Sequence, residues 1–176
     1  ADVRALLADA VSADVPILGL CLGGQLLAAA LGGRVELSPI TEVGLVYVER
    51  TEAGLTDRLV SQLQAPGDRI PATQWHQDHI TELPDGAVVL LTNPACRVQA
   101  FRVGEHAYGL QMHPEVDADV FDDWSTEQDD ALERSGRTGA QAAAEVRAEQ
   151  GALIAVWRPM ILGWAELVWA YATDRR

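Results

Sequence analysis

From Val15 to Gly33 the chain runs nineteen residues without a formal charge, and its two halves call for different backbones. Val15 to Leu20 is a short apolar run of the kind that fills a strand buried on both faces. Gly24 to Leu31, rich in Leu and Ala, reads as a helix that stops at Gly32-Gly33. Cys21 lies between them, with Gly19, Gly23 and Gly24 around it. A strand that turns sharply into a helix with a thiol at the turn is a nucleophile elbow. The glycines admit the tight backbone and clear room for a substrate. The helix N-terminus, with its free N–H groups and dipole, favours a thiolate there. The same uncharged length has the size of a membrane span, but Pro16, Gln25 and five glycines speak against one. A free Cys is commonly a plain core residue, so the elbow alone leaves catalysis open.

Composition narrows the choices. At 176 residues the chain suits one domain with a sizeable core. A net charge of −13 argues against nucleic acid, because phosphate binding needs a positive surface. All 13 basic residues are arginine, which excludes Schiff-base chemistry, a lysine-dependent P-loop and pyridoxal phosphate attachment. Two cysteines make no disulfide framework, and with no signal or transit segment visible the expected location is cytoplasmic.

Residues 2–13, with Val3, Leu6, Leu7, Ala10 and Val11 in phase, predict an amphipathic helix. Helix, strand, elbow and helix make the alternation of an α/β fold with a mostly parallel sheet. Arg34–Leu37 and Val43–Glu49 read as short strands, Leu55–Leu63 as a brief helix and Gln64–Asp68 as a turn. Ile70–Ile80 is a polar strand-like stretch, and Ala87–Thr92 an apolar strand. Val98–Val103 and His106–Met112 flank a turn at Gly104-Glu105 and predict a β-hairpin. The remainder reads as helix, with separate helices over 138–157 and 159–172 and Pro159 starting the second. The acids at 117, 119 and 122 do not meet the EF-hand pattern and read as a solvated helix face.

The hairpin delivers His113-Pro114-Glu115. A cysteine nucleophile needs an imidazole to take its proton and return it to a leaving amine, and a third group to orient that imidazole. On an extended chain Glu115 points to the same side as His113, and Pro114 stiffens the link. Cys21, His113 and Glu115 are therefore the candidate catalytic residues. His76 and His79 fall on opposite faces of a strand, so no shared metal is expected, and Cys96 reads as a bystander on a loop.

Gly19-x-Cys21-x-Gly23-x-Gln25 followed by His113-Pro114-Glu115 resembles the class I glutamine amidotransferase family. Gln74-Trp75-His76-Gln77-Asp78 resembles the family segment that lies along bound glutamine. The likeness runs from about Ala5 to Glu115 and is nearest to free-standing domains similar to the glutaminase part of GMP synthase. It implies a flavodoxin-like three-layer sandwich and hydrolysis of the glutamine side-chain amide through a γ-glutamyl thioester, with no cofactor and no metal. It also implies an oxyanion contact from the backbone N–H of Leu22, and substrate contacts from Gln25 and the backbone of His76, Gln77 and Asp78. The family places two strands and a glycine-rich loop before the opening helix. They are not in these 176 residues, so the expectation is a single domain, N-terminally incomplete, with 116–176 as its helical extension.

The same constellation suits a γ-glutamyl peptide hydrolase, whose bond is also an amide on the γ-carbon. A third reading is a non-catalytic relative that keeps the pocket. The segment after Glu115 is too short and too helical for an ATP-dependent synthase, so an ammonia acceptor, where there is one, is a separate synthase chain.

Overall fold

The computed structural model describes residues 2–65, 67, 69–126 and 130–174. Pro66 and Asp68 of the expected 64–68 turn, and Glu127 and Asp129 of the acidic run, lie outside them.

Helix α1 (Val3–Ser12) starts where the Asp2 carboxylate accepts the Arg4 N–H at 3.1 Å. Its apolar stripe is only partly used: Val3 and Leu6 are exposed, while Val11 packs against the core. Strand β1 (Ile17–Leu20) and helix α2 (Leu22–Ala30) flank Cys21 as expected. The two short strands expected over 34–49 are one strand, β2 (Arg34–Arg50), irregular between Leu37 and Glu42. In place of one helix over 55–63 there are α3 (Glu52–Thr56) and a single 3₁₀ turn (Val60–Gln62). Asp57 explains the break, because its carboxylate takes the N–H groups of Leu59 and Val60 and restarts the chain. Then come β3 (Ile70–Glu82), β4 (Val88–Thr92), β5 (Ala100–Val103) and β6 (Ala107–Leu110). Helices α4 (Ala118–Thr126), α5 (Asp130–Ser135) and α6 (Gly139–Asp174) complete the described chain.

The strands form one sheet in the order β1-β6-β5-β4-β2-β3. Phe101 and Ala107 join one apolar cluster with Leu27 and Ala28 of α2. Their neighbours Ala100 and Tyr108 join another with Phe121, Val146 and Trp157. Adjacent strand residues face opposite ways, so each face of the sheet is covered by helices. The architecture is α/β and flavodoxin-like, as expected, but the pairing is not mostly parallel. Among the described residues only β1–β6 is parallel, and β2–β3, β2–β4, β4–β5 and β5–β6 are antiparallel. A parallel pair needs a crossover such as the long path from β1 to β6, whereas a short turn such as Gly104-Glu105 returns the chain antiparallel. Among the described residues, β1 is the terminal strand of this sheet. Only its Gly19 is buried, and Ile17, Leu18 and Leu20 are half-buried rather than enclosed on both faces.

Helix α6 corrects a second expectation, since it runs unbroken through Pro159. A proline inside a helix removes one hydrogen bond and crowds the preceding turn. Here Val156, Trp157, Met160, Gly163 and Leu167 are buried on both sides of it, and that shared face outweighs the loss. By length and composition α6 could cross a membrane, yet this face lies in the core.

Candidate active site

Cys21 occupies the turn between β1 and α2 with φ 45° and ψ −106°, a conformation rare for a residue with a side chain. Two hydrogen bonds hold it there. Its N–H donates to the Leu110 carbonyl at 2.8 Å, and its carbonyl accepts from Gln25 N–H at 3.0 Å. The turn is tight because a Cβ on Gly19 would stand 2.6 Å from the Gly23 backbone, and one on Gly24 3.0 Å from the Leu110 carbonyl oxygen. Leu22 is the first residue of α2, where helix N–H groups have no partner within the helix; its side chain is exposed.

His113 follows β6, and its N–H donates to the Thr73 carbonyl at 2.9 Å. Its Nδ1 lies 2.7 Å from Glu115 Oε1. The two meet through a turn rather than an extended segment, with Val116 N–H reaching the His113 carbonyl at 3.3 Å and Pro114 as the first central residue. Burial pulls the His113 imidazolium down, but hydrogen bonds and charge from Cys21 and Glu115 outweigh it and lift the ring to about 9. The structure thus brings Cys21, His113 and Glu115 together. Trp124 of α4 stands edge-on to the His113 ring, with centroids 5.0 Å apart.

The remaining expected residues line up behind the thiol. Gln25 is nearly buried, and its Nε2 donates to the Asp78 carbonyl at 2.9 Å and to Gln111 Oε1 at 3.1 Å. His76 is buried on β3, with Nδ1 2.9 Å from the Asp78 carbonyl and Nε2 3.1 Å from Glu42 Oε2. Gln77, half-buried, falls opposite the irregularity in β2, between the pairs Glu42–His76 and Leu37–Asp78.

Sequence reasoning missed Gln111, Trp124 and Glu42, and it placed Trp75 in the substrate segment without its contact to the thiol. Gln111 Nε2 lies 3.6 Å from Cys21 Sγ, and the Trp75 carbonyl lies 3.8 Å from the same sulfur. Trp124 covers His113, and Glu42 lies under His76. Gln111 had a signal, since it sits two residues before His113. Glu42 had none, because its side-chain partners His76, Asn93 and Gln99 are 34, 51 and 57 residues away.

Cys96 is fully buried on its loop, where burial pushes the thiol up to about 12. The acids of the rejected calcium reading have other partners: Asp117 caps α4, and Asp119 and Asp122 pair with Arg147. A cavity beside Glu115, walled by Val116, Val146, Leu153 and Trp157, touches His113 but not Cys21, Gln25 or His76. It is separate from the face that carries the thiol.

The family model for glutamine amidotransferase class-I matches residues 2–128. The glutamine amidotransferase-like protein YfeJ of Salmonella typhimurium is 33% identical over 144 residues, which cover 81% of this chain and 59% of that protein. A glutamine-hydrolyzing GMP synthase subunit from Natronomonas pharaonis is 40% identical over 104 residues, 58% of this chain and 54% of that one. The chain therefore spans less than two thirds of the length of these relatives. The crystal structure of a glutamine amidotransferase from Thermotoga maritima superposes with a TM-score of 0.77 at 29% identity, covering 93% of this chain and 68% of that one. With a match over most of its length and the same fold, this chain belongs to the class I glutamine amidotransferase family.

Proposed function

We propose that the protein hydrolyses the side-chain amide of glutamine, with Cys21 as nucleophile, His113 as proton carrier and Glu115 as the group that orients it. The observation that carries the reading is the His113 ring. Its Nδ1 is hydrogen-bonded to Glu115 at 2.7 Å, and the Glu115 carboxylate and the Cys21 sulfur together raise the ring to about 9 against the pull of burial. An imidazolium beside Cys21 attracts the negative charge of a thiolate.

The sulfur attacks the amide carbon, and the oxygen takes up charge facing the Leu22 N–H at the start of α2. As the C–N bond breaks, His113 gives its proton to the nitrogen, ammonia leaves, and a γ-glutamyl thioester remains on Cys21. Water then attacks the thioester and gives a proton to His113. Glutamate departs, and the thiolate–imidazolium pair is restored. The backbone of His76, Gln77 and Asp78 and the Gln25 amide form the wall along which the substrate lies. The likeness to chains named as one subunit of GMP synthase supports a separate chain as the consumer of the ammonia.

Purified protein incubated with L-glutamine tests this. Release of glutamate and ammonia, lost in Cys21→Ala, together with a γ-glutamyl adduct on Cys21 in quenched samples, is the expected result. Turnover of γ-glutamyl peptides without turnover of glutamine would assign the peptide hydrolase. Failure to turn over either, with no adduct, would leave a binding relative.

A further inference from the structure

Glu42 is buried with only 6% of its surface exposed, on a strand where its neighbours Val43 and Val48 belong to the apolar core. A buried carboxylate is retained only where hydrogen-bond donors converge on it. Three do so here. Asn93 Nδ2 donates to Oε1 at 2.6 Å, Gln99 Nε2 donates to Oε2 at 2.7 Å, and His76 Nε2 faces Oε2 at 3.1 Å. The other nitrogen of His76 faces the Asp78 carbonyl, which only accepts, so Nδ1 carries a proton. A second proton must then lie between Nε2 and Glu42 Oε2, since otherwise a ring lone pair would face a carboxylate.

The network continues toward the thiol. The Asp78 carbonyl that receives His76 Nδ1–H also receives Gln25 Nε2–H, Gln25 donates on to Gln111 Oε1, and Gln111 Nε2 reaches Cys21 Sγ. Gln99 ties in a second time, taking Gln74 Nε2–H on its side chain at 2.6 Å and Gln111 N–H on its carbonyl at 2.8 Å. The ladder pairs Glu42 with His76 and Leu37 with Asp78 but leaves Gln77 opposite the irregularity in β2, so strand pairing does not by itself hold Gln77 in place. The His76 Nδ1–H bond to the Asp78 carbonyl bridges that residue, and Glu42 holds the His76 ring that makes it.

We propose that Glu42 is a positioning residue for the substrate wall: through the proton shared with His76 it holds the 76–78 backbone at the geometry that binds the γ-glutamyl substrate. The proposal rests on the glutamine reading above, and its role differs from that of Cys21, His113 and Glu115 because Glu42 acts through His76 rather than on the reacting atoms.

Two measurements on wild type and Glu42→Gln test it. The first is the ¹⁵N NMR spectrum of the His76 ring, assigned by comparison with His76→Asn. The Nε2 signal is expected to move toward that of a bare acceptor nitrogen in Glu42→Gln. The second compares two alkylating agents. For a chloromethyl-ketone analogue of glutamine, which must bind before it reacts, the saturation constant should rise at least about tenfold. The rate with iodoacetamide, which needs no binding, should stay within about threefold. General damage to the fold would move both reagents together. An unmoved Nε2 signal, an unchanged saturation constant, or equal losses with both reagents overturns the proposal. Where Glu42→Gln does not fold, the wild-type spectrum decides, and a His76 Nε2 that shares no proton overturns it. Wild-type protein that reacts with iodoacetamide but is not saturated by the ketone would overturn the glutamine reading instead, and the spectrum would still decide the Glu42–His76 pair.

Discussion

Gly19 of β1 and Gly23 of α2 meet backbone to backbone: a Cβ on Gly19 would lie 2.6 Å from the Gly23 carbonyl carbon and oxygen. Main-chain atoms in a packed turn cannot swing aside, so Gly19→Ala must push the helix from the strand and move Cys21. The expected cost is roughly 1–3 kcal/mol, read as a lower urea midpoint. Gly23→Ala is the control, because a Cβ there meets nothing within 4 Å. It should be neutral or stabilise the helix by up to about 1 kcal/mol. Equal midpoints for the two variants would mean that the elbow has slack.

The two thiols should differ sharply in reactivity. Cys21 is partly accessible beside the His113 ring, whereas Cys96 is fully buried with its thiol pushed up to about 12. Brief treatment with iodoacetamide at neutral pH followed by peptide mass spectrometry should find the label on Cys21. Label appearing first on Cys96 would contradict the site.

The His113 ring makes stability depend on pH in a stated direction. Its folded value is raised from 6.5 to about 9. The contribution is therefore fully present below pH 6.5 and is lost as pH rises through 9. Its upper bound is about 3 kcal/mol. Urea unfolding at pH 6 and pH 9.5 should show a larger drop for wild type than for His113→Gln, in which other titrations remain and cancel in the comparison. Parallel curves would show that the ring is not held charged.

Glu115→Gln isolates the orienting acid. The amide can turn the imidazole to the wrong tautomer, and in triads of this logic such a change lowers turnover by up to about 10⁴-fold. It should also lower the His113 titration point, because Glu115 is one of the groups that raise it. Turnover within about threefold of wild type would mean that His113 is oriented by another group.

Pro159 distinguishes one helix from two by the sign of a substitution. Inside a continuous α6, Pro159→Ala restores a hydrogen bond to the Ala155 carbonyl and should stabilise by roughly 1–3 kcal/mol. At the first position of a separate helix the same change would be neutral or unfavourable. Urea denaturation reads the sign directly.

The elbow and the pairing of Glu115 with His113 were legible in the sequence because each is local, although the sequence suggested an extended link where the chain makes a turn. An apolar run, three glycines and an Ala/Leu run dictate strand, tight turn and helix within twenty residues, and a proline between two functional groups sets their spacing without help from the rest of the chain. The strand-by-strand pairing was not legible in the same way. That four of the five pairings among the described residues are antiparallel depends on which distant strand each one meets. The unbroken α6 overrides a strong local signal, because its buried face continues on both sides of Pro159. Glu42 shows the limit most clearly. In the sequence it is one acid among 26 acidic residues, with nothing nearby to distinguish it. Its position beneath His76 comes from β2–β3 register, and the convergence of Asn93 and Gln99 on its carboxylate comes from the fold that joins those segments. Local backbone preferences act within a turn or two of chain and can be read from it. A buried hydrogen-bond network is closed only by tertiary packing, which alone decides which polar groups lose water together.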